Sequence, residues 1–437
     1  MPEYTVNYGA TCMKFTLPED ATIESISPAV SPARETEESI EAANAEVQFL
    51  ANSISGGLER VSERMAACKN VLIACEDNTR VAPVKFLLPA VIDAVRAAGK
   101  EASLIVAGGS HRRMTDDEKL EKFGQDVLDA LPVIDHAWDD PGAFTSFGTA
   151  AGGYDIMLNT IACDPDTFVI GMGNIVPHRV CGFSGGYKIL LPGLTCQETI
   201  NHIHYLSAQL RSEKILGVAR NPVRDAINEI GRFRPIDFLI NTVLDGTGNI
   251  VSLCTGDPIE AQYQGSVVAK QVYGVPVGKP ADLVITDAVP EVLDFWVCAK
   301  ALTNTKSFVK QGGHLVAFTP CTEGLSPAHG EVLLRYGYRP PAEIDAMVND
   351  VTIDEAHLLE ASHLSHIGEI LQHCHVHLVS DTLDMDTLGQ FGFDVVQTCN
   401  LDALVDEIFS DLRSSVQGRK IRAKLVSHGS EILPVVG

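Results

Sequence analysis

The sequence predicts an α/β fold with largely parallel sheets, divided into two α/β domains with a cleft between them. Short apolar runs rich in β-branched residues alternate with stretches of helical periodicity, which is typical of parallel sheets covered by helices. Polar residues directly follow each apolar run, and open α/β sheets place their sites at that end of the strands. A chain of 437 residues is long enough for two or three domains.

Three apolar segments predict the strands of the first domain. Val71 to Cys75 and Ser103 to Ala107 each run into a polar loop, and the segment "DTFVIGMGNIVPH" (166–178) repeats this arrangement. Between the second and third strands, Thr115 and Glu118 have the spacing of a capping box, which predicts the start of a helix. Gly124 is a typical residue at a helix end.

A second unit is predicted to begin at "GVPVGKPADLVITDA", where Gly and Pro cluster before a new strand. The predicted domains are therefore 1–273 and 274–417. In the second unit we expect elements in this order: a strand at 283–286, a helix over 294–311 closed by Gly312 and Gly313, strands at 314–319, 376–380 and 393–398, and a helix over 401–416.

Composition argues against several classes of function. The net charge of -24 at pH 7 disfavours binding to nucleic acid or to anionic membranes. We find no signal-peptide pattern and no apolar run of membrane-spanning length. The 11 cysteines are scattered without a CxxC pair, which favours reduced thiols. We expect a cytoplasmic protein that binds a small molecule, with no nucleic-acid or membrane partner.

Polar side chains suited to catalysis follow the predicted strands. In chain order they are Asp77, Thr79, Arg80, His111, Arg112, His178 and Lys188. Each alone has an ordinary explanation as a solvated or turn-forming residue. Together they offer two imidazoles with pKa values near neutrality and a guanidinium that could hold a carboxylate. Such a set suits a site that handles protons and hydride.

Lys188 lies in the segment "PHRVCGFSGGYKILLPG" (177–193), after three glycines and before an apolar run. A buried amine is costly unless a partner neutralises its charge or a covalent bond removes it. A phosphate-binding loop is an unsatisfactory explanation, because the four-residue gap between its glycines is absent. Ile189 also occupies the position of the Ser or Thr that holds magnesium in such loops.

Several segments together resemble the nickel-dependent lactate racemase family. They are "DNTR" (77–80), "SHRRMTDDE" (110–118), the segment 177–193, "ETINHIH" (198–204) and "DAVPEVLDFWVCAKAL" (287–302). Their order and approximate spacing agree with the family over most of the chain. The resemblance implies a racemase or epimerase of 2-hydroxy acids. It also implies a nickel-pincer nucleotide cofactor (pyridinium-3,5-bisthiocarboxylic acid mononucleotide) and cofactor-maturation proteins as partners.

The resemblance assigns the cofactor to one group of residues. Lys188 would carry it through a thioamide bond, and His204, sixteen positions later, would complete the environment of the nickel. His202 would point elsewhere on the same helix and act in packing. The remaining residues assigned to cofactor binding are Asp77, Thr79, Gly185 and Gly186, although Asp77 and Thr79 could equally orient Arg80 or form a turn.

The resemblance assigns the substrate to a second group. His111 and His178 would act alternately as acid and base, and Arg80 and Lys300 would hold the substrate carboxylate. Whether the segment 418–437 returns to the first domain is left open, as is the oligomeric state.

Two departures from the family pattern bear on the substrate. Trp296 and Val297 stand where the family has a Tyr-Gln pair, which suggests a substrate that is larger or more apolar than lactate. Trp296 could instead be part of an ordinary core. Tyr187, between the glycines and Lys188, changes the wall beside the cofactor.

The segment 361–381 contains five histidines and a cysteine outside the resemblance. They are His363, His366, His373, Cys374, His375 and His377. Such side chains can bind zinc, but a solvated helix end and strand is the simpler interpretation. The alternatives are a sugar-acid epimerase with the same chemistry, a zinc hydrolase built on these histidines, and a nickel-binding protein.

Overall fold

Two six-stranded sheets organise the chain in the computed structural model, which describes residues 2–29, 49–416 and 418–436. The strands are β1 (Glu3–Tyr8), β2 (Thr11–Thr16), β3 (Ala21–Ile26), β4 (Asn70–Cys75), β5 (Ala102–Val106), β6 (Val133–Asp135), β7 (Phe144–Thr149), β8 (Asp155–Asn159), β9 (Thr167–Asn174), β10 (Pro177–His178), β11 (Gly182–Phe183), β12 (Phe238–Leu244), β13 (Ile250–Gly256), β14 (Gly274–Pro276), β15 (Ala281–Asp287), β16 (Val309–Phe318), β17 (His375–Val379), β18 (Phe393–Val396), β19 (Ile421–Val426) and β20 (Leu433–Val435).

Helices connect most of these strands. The α-helices are α1 (49–59), α2 (Ser62–Ala67), α3 (Val84–Ala97), α4 (Asp116–Phe123), α5 (Gln125–Ala130), α6 (Gln197–Leu210), α7 (Pro222–Asn228), α8 (Pro258–Tyr273), α9 (Phe295–Cys298), α10 (Lys300–Thr305), α11 (Gly330–Tyr336), α12 (Pro341–Asn349), α13 (Leu358–His373), α14 (Met385–Gly389) and α15 (Leu401–Ser415). No helix in the described ranges is long and apolar enough to cross a membrane.

The first sheet has the strand order β13-β12-β9-β4-β5-β6 and is parallel except for β13. Its central strands are buried on both faces, which explains their continuous apolar sequences. In β4, Val71, Ile73 and Cys75 pack into one core while Leu72 and Ala74 pack into another on the opposite face. Each fully buried Val, Leu or Ile stabilises the fold by about 1.5–3 kcal/mol.

The second sheet has the order β18-β17-β16-β15-β19-β3, with every neighbouring pair parallel. The α/β class and the largely parallel sheets predicted from the sequence are therefore confirmed. The capping box of Thr115 and Glu118 is present, and Gly124 ends α4.

The two chain ends pair and pack across the predicted division at residue 274. β3, from the predicted first domain, pairs with β19 at the edge of the second sheet, with Ala21 opposite Ile421. The preceding β1–β2 hairpin covers the same sheet, where Phe15 packs near Phe318. β20 instead pairs with β14, and its Leu433 packs into a core of the first domain. The chain ends thus link both units.

The predicted helix over 294–311 requires correction. The structure forms α9 and α10, and β16 begins at Val309. Gly312 and Gly313 do not end a helix. They lie where the pairing of β16 with β15 shifts, with Gly312 at φ +70°, so they accommodate an irregularity in the strand.

Candidate active site

A cavity lies where the loops after β4, β5 and β9 meet residues of α9, α10 and α13. It forms at the carboxyl ends of the parallel strands, as expected for an α/β fold. Nine of the predicted site residues line it: Asp77, Arg80, His111, His178, Gly185, Lys188, His204, Trp296 and Lys300. Thr79 lies beside Asp77 and His111, and Gly186 packs against α8.

The buried carboxylate of Asp77 holds His111 in one orientation. Its Oδ2 accepts a hydrogen bond from His111 Nδ1 at 2.7 Å, which leaves Nε2 of the imidazole free. Thr79 Oγ1 donates to Asp77 Oδ1 at 2.5 Å. Burial alone would raise the pKa of Asp77, but His111 and Arg80 outweigh it and hold this pKa well below its usual range. The carboxylate is therefore ionised throughout the neutral range.

His178 is held as the other tautomer, because its Nδ1 accepts a hydrogen bond where that of His111 donates one. Its Nδ1 accepts the backbone N–H of Val180 at 3.2 Å, so the neutral ring carries its proton on Nε2. Burial, followed by the positive charges of Lys188 and Lys300, lowers the pKa of His178 well below its ordinary value. The sequence had led us to expect a pKa near neutrality for this residue. The pKa of His178 is lower than expected because the ring is buried and lies near two lysine side chains.

Lys188 follows a glycine turn that admits no larger residue. Gly185 has φ +79°, and a Cβ there would approach Asn241 Oδ1 to 2.6 Å. Asn241 Oδ1 also accepts the backbone N–H of Gly186 at 2.9 Å, which fixes the turn. Burial and the nearby Arg80 lower the pKa of Lys188 to about 8. No residue within the described ranges forms a hydrogen bond or an ion pair with its amine.

His204 projects from α6 into the same cavity. Its Nδ1 donates to the carbonyl of Ile200 at 2.9 Å, so Nε2 carries the lone pair that a metal would need. Burial lowers the pKa of His204 to about 3, so the ring is neutral. His202 faces elsewhere and stacks on Tyr154 at 5.2 Å, which confirms its predicted packing role.

Two cations, one in the loop after β4 and one at the start of α10, converge on one buried carboxylate. Arg80 Nη1 lies 3.0 Å from Glu291 Oε1, and Lys300 forms an ion pair with the same oxygen. Burial and Arg80 lower the pKa of Lys300 to about 8, against the raising effect of Glu291. Burial raises the pKa of nearby Glu431 to about 8, and the charge of Glu291 adds to this effect.

Sequence reasoning did not single out Glu291, Glu431 or Arg179. Glu291 lies within the segment that carried the resemblance, but only the folded chain brings it to Arg80. Arg112, which the sequence did suggest, bonds instead to Glu118 and Glu323.

Trp296 forms a rigid wall of the cavity. Its ring is stacked between His329, with centroids 4.2 Å apart, and His363, with centroids 4.5 Å apart. The half-buried indole also packs against the core of the second sheet. Trp296 thus belongs to a core and also lines the cavity.

The histidine-rich segment requires a correction, because much of it is not a solvated surface. His363 and His366 are buried on α13, where His363 Nδ1 contacts Arg179 and His366 Nε2 contacts Ser207. His377 is also mostly buried and bonds to His314 and Asp394. Within the described residues, no three His, Cys, Asp or Glu side chains are grouped so that they could hold a metal ion. The zinc hydrolase alternative therefore lacks support.

Residues 8–215 match the family model of the lactate racemase N-terminal domain. Two curated relatives agree with that match. The lactate racemase of Thermoanaerobacterium thermosaccharolyticum is 28% identical over 273 residues, which is 61% of this chain and 64% of the relative. The lactate racemase of Lactiplantibacillus plantarum is 25% identical over 366 residues, which is 81% of this chain and 83% of the relative. Residues 8–215 of this chain are therefore similar to the lactate racemase N-terminal domain.

Solved structures share the fold of this chain. The lactate racemase apoprotein of T. thermosaccharolyticum superposes with a TM-score of 0.79 at 21% identity, covering all of both chains. A Thermotoga maritima protein gives a TM-score of 0.72 at 17% identity, covering 89% of this chain and 98% of the other. The curated match to the first relative spans slightly less than two thirds of that relative's length.

Proposed function

We propose that this chain is a racemase or epimerase of 2-hydroxy acids that uses a nickel-pincer nucleotide tethered to Lys188. The observation that carries the proposal is that the amine of Lys188 and Nε2 of His204 share one cavity, and neither has a hydrogen-bond partner among the described residues. We also propose that the chain is cytoplasmic and that cofactor-maturation proteins load it.

The residues of the cavity fit this cofactor. A covalent thioamide at Lys188 would remove the positive charge of an amine that has no counterion in the described part of the chain. His204 would supply an imidazole ligand to nickel, and the bound cofactor would supply further ligands, since no three His, Cys, Asp or Glu side chains of the described residues are grouped to hold a metal ion. When bound, the cofactor would accept and return the hydride of the substrate C2 carbon.

His111 is suited to accept the hydroxyl proton of the substrate. Its Nδ1–H is held by Asp77, so Nε2 presents a lone pair, and the ionised carboxylate stabilises the imidazolium that results. The pKa of Asp77, held well below its usual range, keeps this support in place at working pH.

For the same enantiomer His178 is suited to donate a hydrogen bond, and the proton that His111 has accepted would return to the product oxygen. With Nδ1 accepting from Val180, it presents Nε2–H as a hydrogen-bond donor to the substrate oxygen. For the other enantiomer the two imidazoles exchange roles. In His178 this exchange requires the proton on Nδ1 and the loss of the Val180 hydrogen bond.

Arg80 and Lys300 would hold the substrate carboxylate from two sides. Glu291 neutralises one of their two charges, and the remaining positive charge suits one carboxylate. Because Arg80 follows the first sheet and Lys300 belongs to the second unit, the two units together would close the cavity around the substrate and exclude water.

The test is racemisation by the chain produced together with the maturation proteins. Each enantiomer of a panel of 2-hydroxy acids and sugar acids, labelled with deuterium at C2, is incubated and analysed by chiral chromatography and mass spectrometry. We expect racemisation with the deuterium retained, because hydride transfer does not exchange with water. Loss of the label to solvent, or no conversion by chain with intact cofactor, would contradict the proposal.

A matched variant tests the role of Asp77. Asp77→Asn keeps the size of the side chain but removes the charge that supports a protonated His111, so we expect kcat to fall by about 10²–10⁴-fold.

The sugar-acid epimerase alternative would be favoured if the enzyme converted only the polyhydroxylated acids of the substrate panel.

A further inference from the structure

Arg179, the residue after His178, is a buried cation without a counterion. It lines the same cavity and is only 7% exposed. Its Nη2 donates to His363 Nδ1 at 3.0 Å, whereas its Nη1 is buried and has no hydrogen-bond partner in the described part of the chain. No carboxylate within those residues forms an ion pair with it.

His363 does not neutralise this charge. Burial and the charge of Arg179 lower the pKa of His363 well below its ordinary value, so the ring is a neutral acceptor. Burial lowers the pKa of Arg179 to about 10, so the guanidinium stays protonated at neutral pH. An unpaired buried charge is strongly unfavourable, and a fold that retains one generally supplies it with a partner.

Arg234 shows how this chain otherwise accommodates a buried arginine. It is 5% exposed, and its donors bond to the carbonyls of Ala162, Thr167 and Pro235. Arg179 has no such set of carbonyls. Its free donor is better explained by an anion that enters the cavity.

The neighbours of Arg179 define the chemistry of that anion. His363 is fixed between the ring of Trp296 and the hydroxyl of Tyr338, so the position of the guanidinium is fixed as well. Trp296 and Leu359 provide apolar surface on the same cavity. A phosphate normally takes several N–H donors at once, whereas among these neighbours Leu359 has none, the Trp296 indole has one, and the single N–H of His363 lies at the Tyr338 hydroxyl. One carboxylate at the end of a short methylene chain fits better.

We propose that Arg179 binds a second acidic group of the substrate, so that the preferred substrate is a 2-hydroxy dicarboxylate. This inference rests on the proposed function. Arg80 and Lys300 would hold the carboxylate next to the reacting carbon, Arg179 would hold the distal carboxylate, and Trp296 and Leu359 would contact the methylene groups between them.

The experiment compares two substrates of equal carbon number, 2-hydroxysuccinate and 2-hydroxybutyrate, with the cofactor-loaded enzyme. We expect kcat/KM to favour 2-hydroxysuccinate in the wild type. Arg179→Met should lower kcat/KM for 2-hydroxysuccinate by at least about tenfold and change that for 2-hydroxybutyrate by less than about twofold. Arg179→Lys, which keeps the charge but not the planar fork, should fall between the two.

Arg234→Met is the control for loss of a buried arginine outside the cavity. It should lower the melting temperature, because three carbonyls lose their donors, and leave the substrate preference unchanged. Arg179→Met should keep or raise the melting temperature, because no carboxylate loses a partner.

A binding measurement separates this inference from the proposed function. In cofactor-free protein, 2-hydroxysuccinate should raise the melting temperature of the wild type more than that of Arg179→Met, and 2-hydroxybutyrate should not distinguish them. If loaded enzyme converts no hydroxy acid but this difference persists, the proposed function fails and the anion site stands. Equal losses on both substrates in Arg179→Met would overturn the inference. If a smaller fraction of that variant then carried the added mass of the cofactor, Arg179 would be assigned to cofactor binding. If the fraction were unchanged, Arg179 would be assigned to the fold.

Discussion

At the residue scale, the reactivity that we propose for Lys188 follows from its burial and from the lack of an ion-pair partner in the described ranges. Burial and Arg80 disfavour its charged form, so its pKa falls to about 8 and a substantial fraction of the amine is neutral near physiological pH. Only the neutral amine can attack an activated carbonyl or thiocarbonyl carbon. The same surroundings that make the charged lysine unfavourable therefore favour the covalent bond that we propose.

Acetylation of the cofactor-free protein measures this property directly. With a limiting amine-acetylating reagent and peptide mass spectrometry across pH 6 to 10, modification of Lys188 should be half-maximal near pH 8. Lys14 is the control, since Glu3 raises its pKa at the surface and keeps it charged over this range. If the profile of Lys188 followed that of Lys14, the lowered pKa would be disproved.

At the element scale, Asp282 ties three parallel strands together. It lies near the start of β15. Its carboxylate accepts hydrogen bonds from Nη1 and Nη2 of Arg419, each at 2.6 Å, and from the backbone N–H of Arg422 at 2.9 Å. It also forms an ion pair with the amine of Lys310 at 2.6 Å. Parallel strands have no tight turns to fix their register, so such a side chain helps to align β15 with β16 and β19.

Asp282→Asn should destabilise the protein by about 2 kcal/mol, because the partners are partly exposed and water offsets some of the loss. Burial raises the pKa of Asp282, but Arg419 and Lys310 outweigh it and hold this pKa well below its usual range. The contribution to stability is thus complete above the unfolded-state pKa of about 4 and is lost as the pH falls towards the folded-state value.

Urea unfolding of the wild type and Asp282→Asn at pH 7, 5 and 3 tests this prediction. The difference in the free energy of unfolding should be nearly constant from pH 7 to pH 5 and smaller at pH 3. A difference that is independent of pH over the whole range would show that the aspartate acts through shape alone.

The elements also show what could be predicted from the sequence. β4, β5 and α15 are marked by apolar runs or by helical periodicity, and polar residues predicted after β4 and β5 do line one cavity. The pairing of β3 with β19 could not be predicted, because it joins residues about 400 positions apart and "ATIESI" has only weak alternation. Glu291 and Arg179 could not be recognised as site residues, because their significance depends on tertiary burial.

At the scale of the whole molecule, the candidate site exists only where the two sheets meet. Arg80, in the loop after β4, and Lys300, at the start of α10, share Glu291. A second ion pair between the two units joins Arg112 to Glu323. Arg112 Nε lies 3.0 Å from Glu323 Oε1 and 2.9 Å from Oε2. The first of these ion pairs also sets the electrostatics of the cavity, whereas the second only joins the two units.

Glu291→Gln should shift the alkaline limb of the pH profile of kcat/KM to lower pH. The charge of Glu291 raises the pKa of Lys300, so without it that pKa falls below about 8 and the carboxylate-binding cation is lost earlier as the pH rises. Glu323→Gln is the control, because it removes a carboxylate between the units without touching Lys300. An unchanged limb in Glu291→Gln would contradict the role assigned to this ion pair.

The central claim is that Lys188 carries a nickel-binding cofactor. The most direct test is intact-protein mass together with nickel analysis, on chain produced with the maturation proteins, for the wild type, Lys188→Ala and His204→Ala. We predict an added mass in the wild type with about one nickel per chain, no added mass in Lys188→Ala, and the added mass with weaker nickel retention in His204→Ala. An unmodified wild-type mass, or an adduct that persists in Lys188→Ala, would contradict the claim.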